Sequence, residues 1–296
     1  MKQQLALGTA QFGLDYGITN AHGRVAAEES LRMLQCAWEG GVGILDTAPA
    51  YGDSERALGE VFTAGPARAW RIVTKTLPLR SVQVDAQAVS RVDTAFRDSL
   101  AHLRAASADT LLVHHADDLL VPGGEALYRW LRGEQDAGRA ARIGVSVYDG
   151  EQVRALLARY RLDAVQLPAS IADQRLLADG TVQRLRDAGV EIHVRSLYLQ
   201  GLLLADPSFI ARRFPDHGAW AQRLHEECRT RGMSAVQACL SFFRSQPAFD
   251  VAVIGAASAG EVRALVDAWQ TIPAMDWSGW AVDNPSFTDP RQWNQT

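Results

Sequence analysis

Four side chains in this sequence have the types needed to pass a proton to a newly formed alkoxide. They are the carboxylate of Asp46 in GILDT, the phenol of Tyr51 in the stretch that follows, the ammonium of Lys75 in RIVTKT and the imidazole of His114 in TLLVHH. An unpaired carboxylate out of water is costly, so a buried Asp46 requires a cation, and Lys75 is the natural one. A tyrosine beside an ammonium has its phenolate favoured, which moves its acidity from a reference near about 10 toward the working range. Tyr51 would then exchange a proton near neutrality, with His114 hydrogen-bonding to the oxygen that receives it. Together the set describes carbonyl reduction. The adjacent His115 raises a rival reading, a metal pair serving a barrel hydrolase. Neighbouring residues on a strand point to opposite faces, and further ligands at the other segment ends are missing. One histidine is expected to work and the other to be its neighbour, with no metal.

Taken singly, each of the four has an ordinary role: Asp46 as a helix cap, Tyr51 as loop filling, Lys75 as a solvated charge. Their joint placement depends on the elements that carry them. Eight short apolar segments recur, LALGT, GILDT, RIVTKT, TLLVHH, RIGVSV, DAVQLP, EIHVRS and VAVIGA, and each reads as a strand. Between them lie stretches of helical period such as EESLRMLQCAWEGG, SERALGEVF and VSRVDTAFRDSLAHL, several closed by glycine. Strands apolar at nearly every position, separated by single amphipathic helices, require a parallel sheet covered on its outer face. Eight such units in 296 residues predict an α/β fold, a (β/α)8 barrel forming one domain over residues 1–296, since such barrels take roughly 250 residues. The runner-up, an open doubly wound sheet, would want a G-x-G-x-x-G loop, which is absent. The long gap between EIHVRS and VAVIGA reads as an insertion before the last strand. The tail DWSGWAVDNPSFTDPRQWNQT reads as an irregular C-terminal arm whose Trp277, Trp280, Phe287 and Trp293 mostly pack.

Composition narrows the partners. The chain is 47% hydrophobic with a formal charge of -4 and no basic cluster, so nucleic acid is not an expected partner. Cys36, Cys228 and Cys239 are far apart, forming neither a disulfide framework nor a zinc-spaced set. No stretch approaches about 18 apolar residues, and the first residues are interrupted too early for a signal peptide. The expectation is a soluble cytoplasmic protein with no membrane partner and a small molecule as substrate.

In such a barrel the chemistry sits where strands end. The polar residues there are Thr9 and Gln11, Asp46 with Tyr51, Lys75, His114, Ser146, Gln166, Arg195 with Ser196, and finally Gly255. At this point the sequence resembles the aldo-keto reductase family over essentially its full length. ILDTAPAYGDSERALGE is similar to the signature D-T-A-x-x-Y-G-x-x-E, IVTKT supplies the strand-end lysine, and DTLLVHH is similar to D-x-x-x-x-H counted from Asp109. The resemblance implies that Asp46, Tyr51, Lys75 and His114 are catalytic. It also implies an extended nicotinamide cofactor across the barrel mouth, NADPH, with NADH or both left open, that passes hydride to an aldehyde or ketone.

The same resemblance assigns cofactor contacts to Gly8, Thr9 and Asp46, and to Ser146 and Gln166 at the carboxamide. Arg195, Ser196, Leu197 and Gly201 of RSLYLQGLL would serve the pyrophosphate. Gly255, Ala257, Ser258 and Glu261 of IGAASAGEV would serve the adenosine end, where Ser258 and Glu261 have capping-box spacing. Three positions depart from the family pattern. Val147 replaces an asparagine, Arg195 replaces an aromatic stacked on the nicotinamide, and Ala257 stands where a Lys or Arg would meet a 2′-phosphate, with Arg263 the nearest substitute. These departures motivate an alternative, a nucleotide-binding sensor or subunit on the same fold with little turnover. Phe12, Tyr16, Tyr148 and Tyr198 are candidates for the substrate pocket, His193 reads as a core histidine, and Asp117 and Asp118 read as a helix start or loop. The family's frequent state is a monomer.

Overall fold

The structure, a computed structural model, describes residues 3–20, 23–65 and 68–295. Eight strands run in sequence order around a closed barrel: β1 (Gln4–Gly8), β2 (Ile44–Asp46), β3 (Arg71–Lys75), β4 (Ala108–Val113), β5 (Ala140–Ser146), β6 (Ala164–Pro168), β7 (Glu191–Arg195) and β8 (Val251–Gly255). Each is parallel to both neighbours, and β8 closes on β1 with Gln4 opposite Val251 and Gly8 opposite Gly255. The (β/α)8 expectation is met.

The pleat decides which residues reach the site. One small apolar cluster, Ala6, Ile44, Val73, Leu112, Ala164 and Val251, fills the lumen from six strands. Side chains two residues further along a strand share its face. Two steps beyond Ala6, Ile44, Val73, Leu112 and Ala164 lie Gly8, Asp46, Lys75, His114 and Gln166. The polar ring at the barrel mouth is therefore the top layer of the same stack that holds the lumen closed. The opposite faces of the strands, including Leu5, Leu45, Ile72, Leu111, Ile143 and Val165, join the larger core beneath the outer helices.

Helix ends follow local chemistry. Asp85 accepts from the Ala88 amide at 2.7 Å to start Ala86–Leu103, which stops at Arg104 in a left-handed conformation. Asp149 starts Gly150–Leu157 by accepting from Gln152 at 2.9 Å. The expected insertion between β7 and β8 contains Pro207–Arg213, Gly218–Thr230 and Ala235–Arg244. The C-terminal arm is pinned to the barrel by Val282 N donating to the Ala172 carbonyl and by Gln174 Nε2 donating to the Trp277 carbonyl, both at 2.8 Å. Trp277, Phe287 and Trp293 are buried in the core, as packing requires. Among the described residues no helix is long and apolar enough to cross a membrane.

Candidate active site

Lys75 Nζ donates to Asp46 Oδ1 at 2.7 Å and to the Thr47 carbonyl at 2.9 Å. Both side chains of this ion pair are almost sealed from water, 1% and 4% exposed, so each charge depends on the other. The second oxygen of Asp46 accepts from Gln166 Nε2 at 2.7 Å, across the lumen from β6. Tyr51 stands over this group. Lys75 Nζ lies 5.0 Å from its ring centroid and acts on its phenol through charge. The His114 ring meets Tyr51 edge to face, with centroids 5.9 Å apart. The four residues expected to act together are thus brought together.

The electrostatics correct one expectation. Burial is the largest influence on Tyr51 and raises its pKa; Lys75 lowers it, Asp46 raises it, and the net position is above the ordinary tyrosine range. The lysine opposes the shift but does not reverse it, so the phenol is held protonated, ready to donate. Burial pulls the Lys75 ammonium down, but the Asp46 carboxylate, through its charge and its hydrogen bond, outweighs it and holds the ammonium above the usual lysine range. His114 is pushed down to about 3 by burial and by the neighbouring charges of Lys75 and Arg195, so its imidazole is neutral. Its Nδ1 is buried without a hydrogen-bond partner.

The turn that presents Tyr51 is built from small residues. Ser54 Oγ lies 2.8 Å from Thr9 Oγ1 and 3.1 Å from Thr47 Oγ1, and donates to the Thr9 carbonyl at 2.8 Å. Thr9 Oγ1 also donates to the Asp46 carbonyl at 3.0 Å, tying β1 to β2. Gly13 lies against the turn so closely that a Cβ there would come within 1.8 Å of the Tyr51 carbonyl oxygen and 2.5 Å of Ser54 N. Glu55, the last residue of the signature, is buried behind β3 and accepts from Thr74 Oγ1 at 2.6 Å. Burial raises its pKa, so part of the motif serves to anchor the helix Ser54–Ala64 rather than to touch a ligand.

The two histidines part as the pleat requires. His115 turns to Asp118, Nδ1 to Oδ1 at 3.1 Å, away from the cleft that His114 lines. Asp118 lies at a helix start, in the first turn of Ala116–Leu119, as one of the two expectations had it; it is also buried and accepts from the Leu79 and Arg80 amides at 2.8 and 2.9 Å, clamping the loop after β3. Among the described residues no three of His, Cys, Asp and Glu converge in a way that would hold a metal ion. His193 is fully buried in the middle of β7, its Nε2 3.0 Å from Glu191 Oε1, and does not line the cleft.

A cleft of about 670 Å³ crosses the barrel mouth, within the size range of ligand sites, ~300–1,000 Å³. Tyr51 and His114 line it, and Lys75 lies sealed behind Asp46. Of the residues expected to meet a cofactor, Gly8, Thr9, Asp46, Ser146 and Gln166 line the lumen side, and Arg195, Ser196, Leu197 and Gly201 the side of the loop after β7. Gly255, Ala257 and Glu261 line the far end beyond β8. Ser258 does not line it. Its hydroxyl caps Ala259–Thr271 by accepting from Glu261 N at 3.2 Å, while the Glu261 carboxylate accepts from Ala257 N at 2.8 Å. The capping box is therefore displaced by one residue, because Glu261 reaches past the cap to the amide before it.

Phe12 is a core residue rather than a pocket wall, whereas Tyr16, Tyr148 and Tyr198 line the cleft as expected. Arg195 does not project freely: it donates to the Val147 carbonyl at 2.9 Å and lies 4.2 Å over the Tyr148 ring. Arg291, from the C-terminal arm, lies 3.7 Å over the same ring. Nothing in the sequence singled out Arg291. The stretch Asp289-Pro290-Arg291 hints at a fixed guanidinium, and Asp289 does hold it, Oδ1 to Nε at 3.0 Å.

A closed eight-stranded α/β barrel with a tyrosine, lysine, aspartate and histidine gathered at its C-terminal mouth defines an oxidoreductase of small carbonyl compounds. A sequence profile described as the Aldo/keto reductase family matches residues 4–281, and the chain belongs to that family. Among curated relatives it is 26% identical over 282 residues to an aldo-keto reductase of Bacillus subtilis (strain 168), covering 88% of this chain and 82% of that one. It is 28% identical over 272 residues to a 6-dehydroglucose reductase of Novosphingobium aromaticivorans, covering 86% and 85%. The fold is also that of the aldo-keto reductase from Bacillus halodurans in its holo form, with TM-score 0.76 at 18% identity over 98% of this chain and 95% of that one.

Proposed function

We propose that the protein is an NAD(P)H-dependent carbonyl reductase in which Tyr51 protonates the oxygen of an aldehyde or ketone. The observation that carries this reading is the buried Lys75–Asp46 pair beneath a protonated Tyr51 and beside a neutral His114. A nicotinamide nucleotide, when bound, would supply the hydride. The residues present fit such a group: Ser146 and Gln166 are register partners on β5 and β6 and line the cleft side by side, suited to a carboxamide. Ser196, Leu199 and Gln200 have left-handed backbone, an arrangement found where loops close on ligands.

The residues then divide the work. Neutral His114 donates a hydrogen bond to the carbonyl oxygen and so orients it. Tyr51 transfers its proton to that oxygen as negative charge develops there. The Lys75 ammonium stabilises the phenolate left behind, and Asp46, fixed by Lys75 and Gln166, keeps the ammonium charged and in place. A positioned general acid of this kind contributes about 10²–10⁴-fold to rate. Tyr16, Tyr148 and Arg291 give the substrate side an aromatic and cationic wall, and the 6-dehydroglucose reductase among the relatives supports a polar, sugar-like carbonyl compound. The unpaired cysteines suit a cytoplasmic setting.

The test is to follow oxidation of the reduced nucleotide by the purified protein across a panel of sugar aldehydes, ketoses and aryl aldehydes. Turnover with at least one class is expected. Tight nucleotide binding with no turnover on the whole panel would contradict the reductase reading and favour the sensor.

A further inference from the structure

Granted that a nicotinamide dinucleotide occupies this cleft, we propose that the end of the cleft beyond β8 selects NADH over NADPH through the carboxylates of Glu29 and Glu261. β4 and β8 lie on opposite sides of the eight-strand ring. With chemistry at Tyr51 and His114, the wall formed by Ala256, Ala257 and Glu261 is the far end of the cleft, where the adenosine must lie.

The first amides of a helix lack intrahelical partners and are the natural donors to a phosphate. At Ala259–Thr271 two of them, at Ala259 and Glu261, are already taken, as is the Ala257 amide just before the cap. Ala259 N donates to Glu29 Oε1 at 2.6 Å, Ala257 N to Glu261 Oε2 at 2.8 Å, and Glu261 N to Ser258 Oγ at 3.2 Å. Two of the three acceptors are carboxylates, and Glu29 is held below the usual carboxylate range by the Ala259 amide and by Arg32.

Among the described residues no cation is offered in exchange. Ala257 has no side chain to reach with. Arg32 is engaged with the other oxygen of Glu29 at 2.7 Å. Arg263 lies with Nη2 3.5 Å from Cys36 Sγ, on the side of the helix Ala27–Glu39. A 2′-phosphate, carrying about -1.5 to -2 charges, would have to displace a carboxylate from its amide and remain beside it. A ribose 2′-hydroxyl is instead a donor, and a carboxylate is the acceptor that suits it. Glu261 lines the cleft and is placed to be that acceptor. The same region holds a donor with nothing to bond: Tyr198 lines the cleft, and its hydroxyl is buried without a hydrogen-bond partner.

The experiment is calorimetric titration of the full chain with NADH and with NADPH, for the native protein and for Glu29→Gln and Glu261→Gln. Thermal melting of each variant confirms that it is folded. The native protein is expected to bind NADH at least about tenfold more tightly, because like charges brought together without compensation are strongly unfavourable. Each variant should gain affinity for NADPH, and Glu261→Gln should also lose affinity for NADH, so that the ratio narrows at least ~3-fold. Equal or tighter binding of NADPH by the native protein, or a ratio unchanged in both folded variants, would overturn the preference while leaving the reductase reading intact. Failure of the native protein to bind either nucleotide would overturn the dinucleotide reading itself and the preference with it.

Discussion

Gln166 Nε2 donates to Asp46 Oδ2 at 2.7 Å, on the carboxylate oxygen that Lys75 does not use. A residue expected to face the cofactor alone therefore also completes the hydrogen bonding of the buried carboxylate. Replacing it by leucine leaves that oxygen unsatisfied, at a cost of about 1–3 kcal/mol. Chemical unfolding of Gln166→Leu should show that loss, while Gln166→Glu, which places a second carboxyl against the first, should be less stable at neutral than at mildly acidic pH. Native stability in both variants would contradict the assignment.

The Lys75–Asp46 pair predicts a thermodynamic cycle. Removing one partner leaves an uncompensated buried charge, so Lys75→Met should lose about 3–5 kcal/mol of stability. Removing both charges with Lys75→Met/Asp46→Asn should restore most of that stability and none of the carbonyl reduction. Unfolding midpoints and turnover measured on the same preparations separate the structural role of the pair from its role in the chemistry.

His114 predicts the acid side of the stability profile. Its folded pKa, about 3, lies below that of an unfolded histidine, about 6.5. Between those values the unfolded chain binds a proton that the folded chain does not, so stability falls as pH falls, by up to about 1.4 kcal/mol per pH unit from this residue. His114→Gln should flatten the dependence of unfolding free energy on pH between about 6.5 and 4. An unchanged slope would show that His114 protonates freely in the folded protein.

Gly13 predicts a defect transmitted through backbone. A methyl group there meets the Tyr51 carbonyl and the Ser54 amide, and neither can rotate aside. Gly13→Ala should cost roughly 1–3 kcal/mol or more and lower turnover by displacing the turn that carries Tyr51. If turnover falls while the unfolding midpoint is unchanged, the steric account is wrong.

Much of this was legible before any coordinates. The ends of the apolar runs placed Asp46, Lys75, His114 and Gln166 at strand ends, and the pleat of the closed barrel then put them on one face. The divergence of His114 from His115 followed from the same rule. Less legible were quantities set by the third dimension. The depth at which Tyr51 is buried decides that its pKa rises despite Lys75, and no spacing reports that depth. Asp118 became a buried clamp because two amides after β3 arrive beside it. Glu29 is separated by most of the chain from the Ala259 amide it caps, and Arg291 reaches the cleft from the C-terminal arm; neither carries a local signal of its partner.

The central claim is that the Tyr51 hydroxyl is the proton donor in carbonyl reduction. The most direct measurement is turnover by Tyr51→Phe against the native protein on the best carbonyl substrate, with nucleotide binding measured in parallel. A fall in kcat of about 10²–10⁴-fold, with nucleotide affinity retained, is the result the account predicts. Turnover within about twofold of native, in a variant that differs only by the missing oxygen, would contradict it.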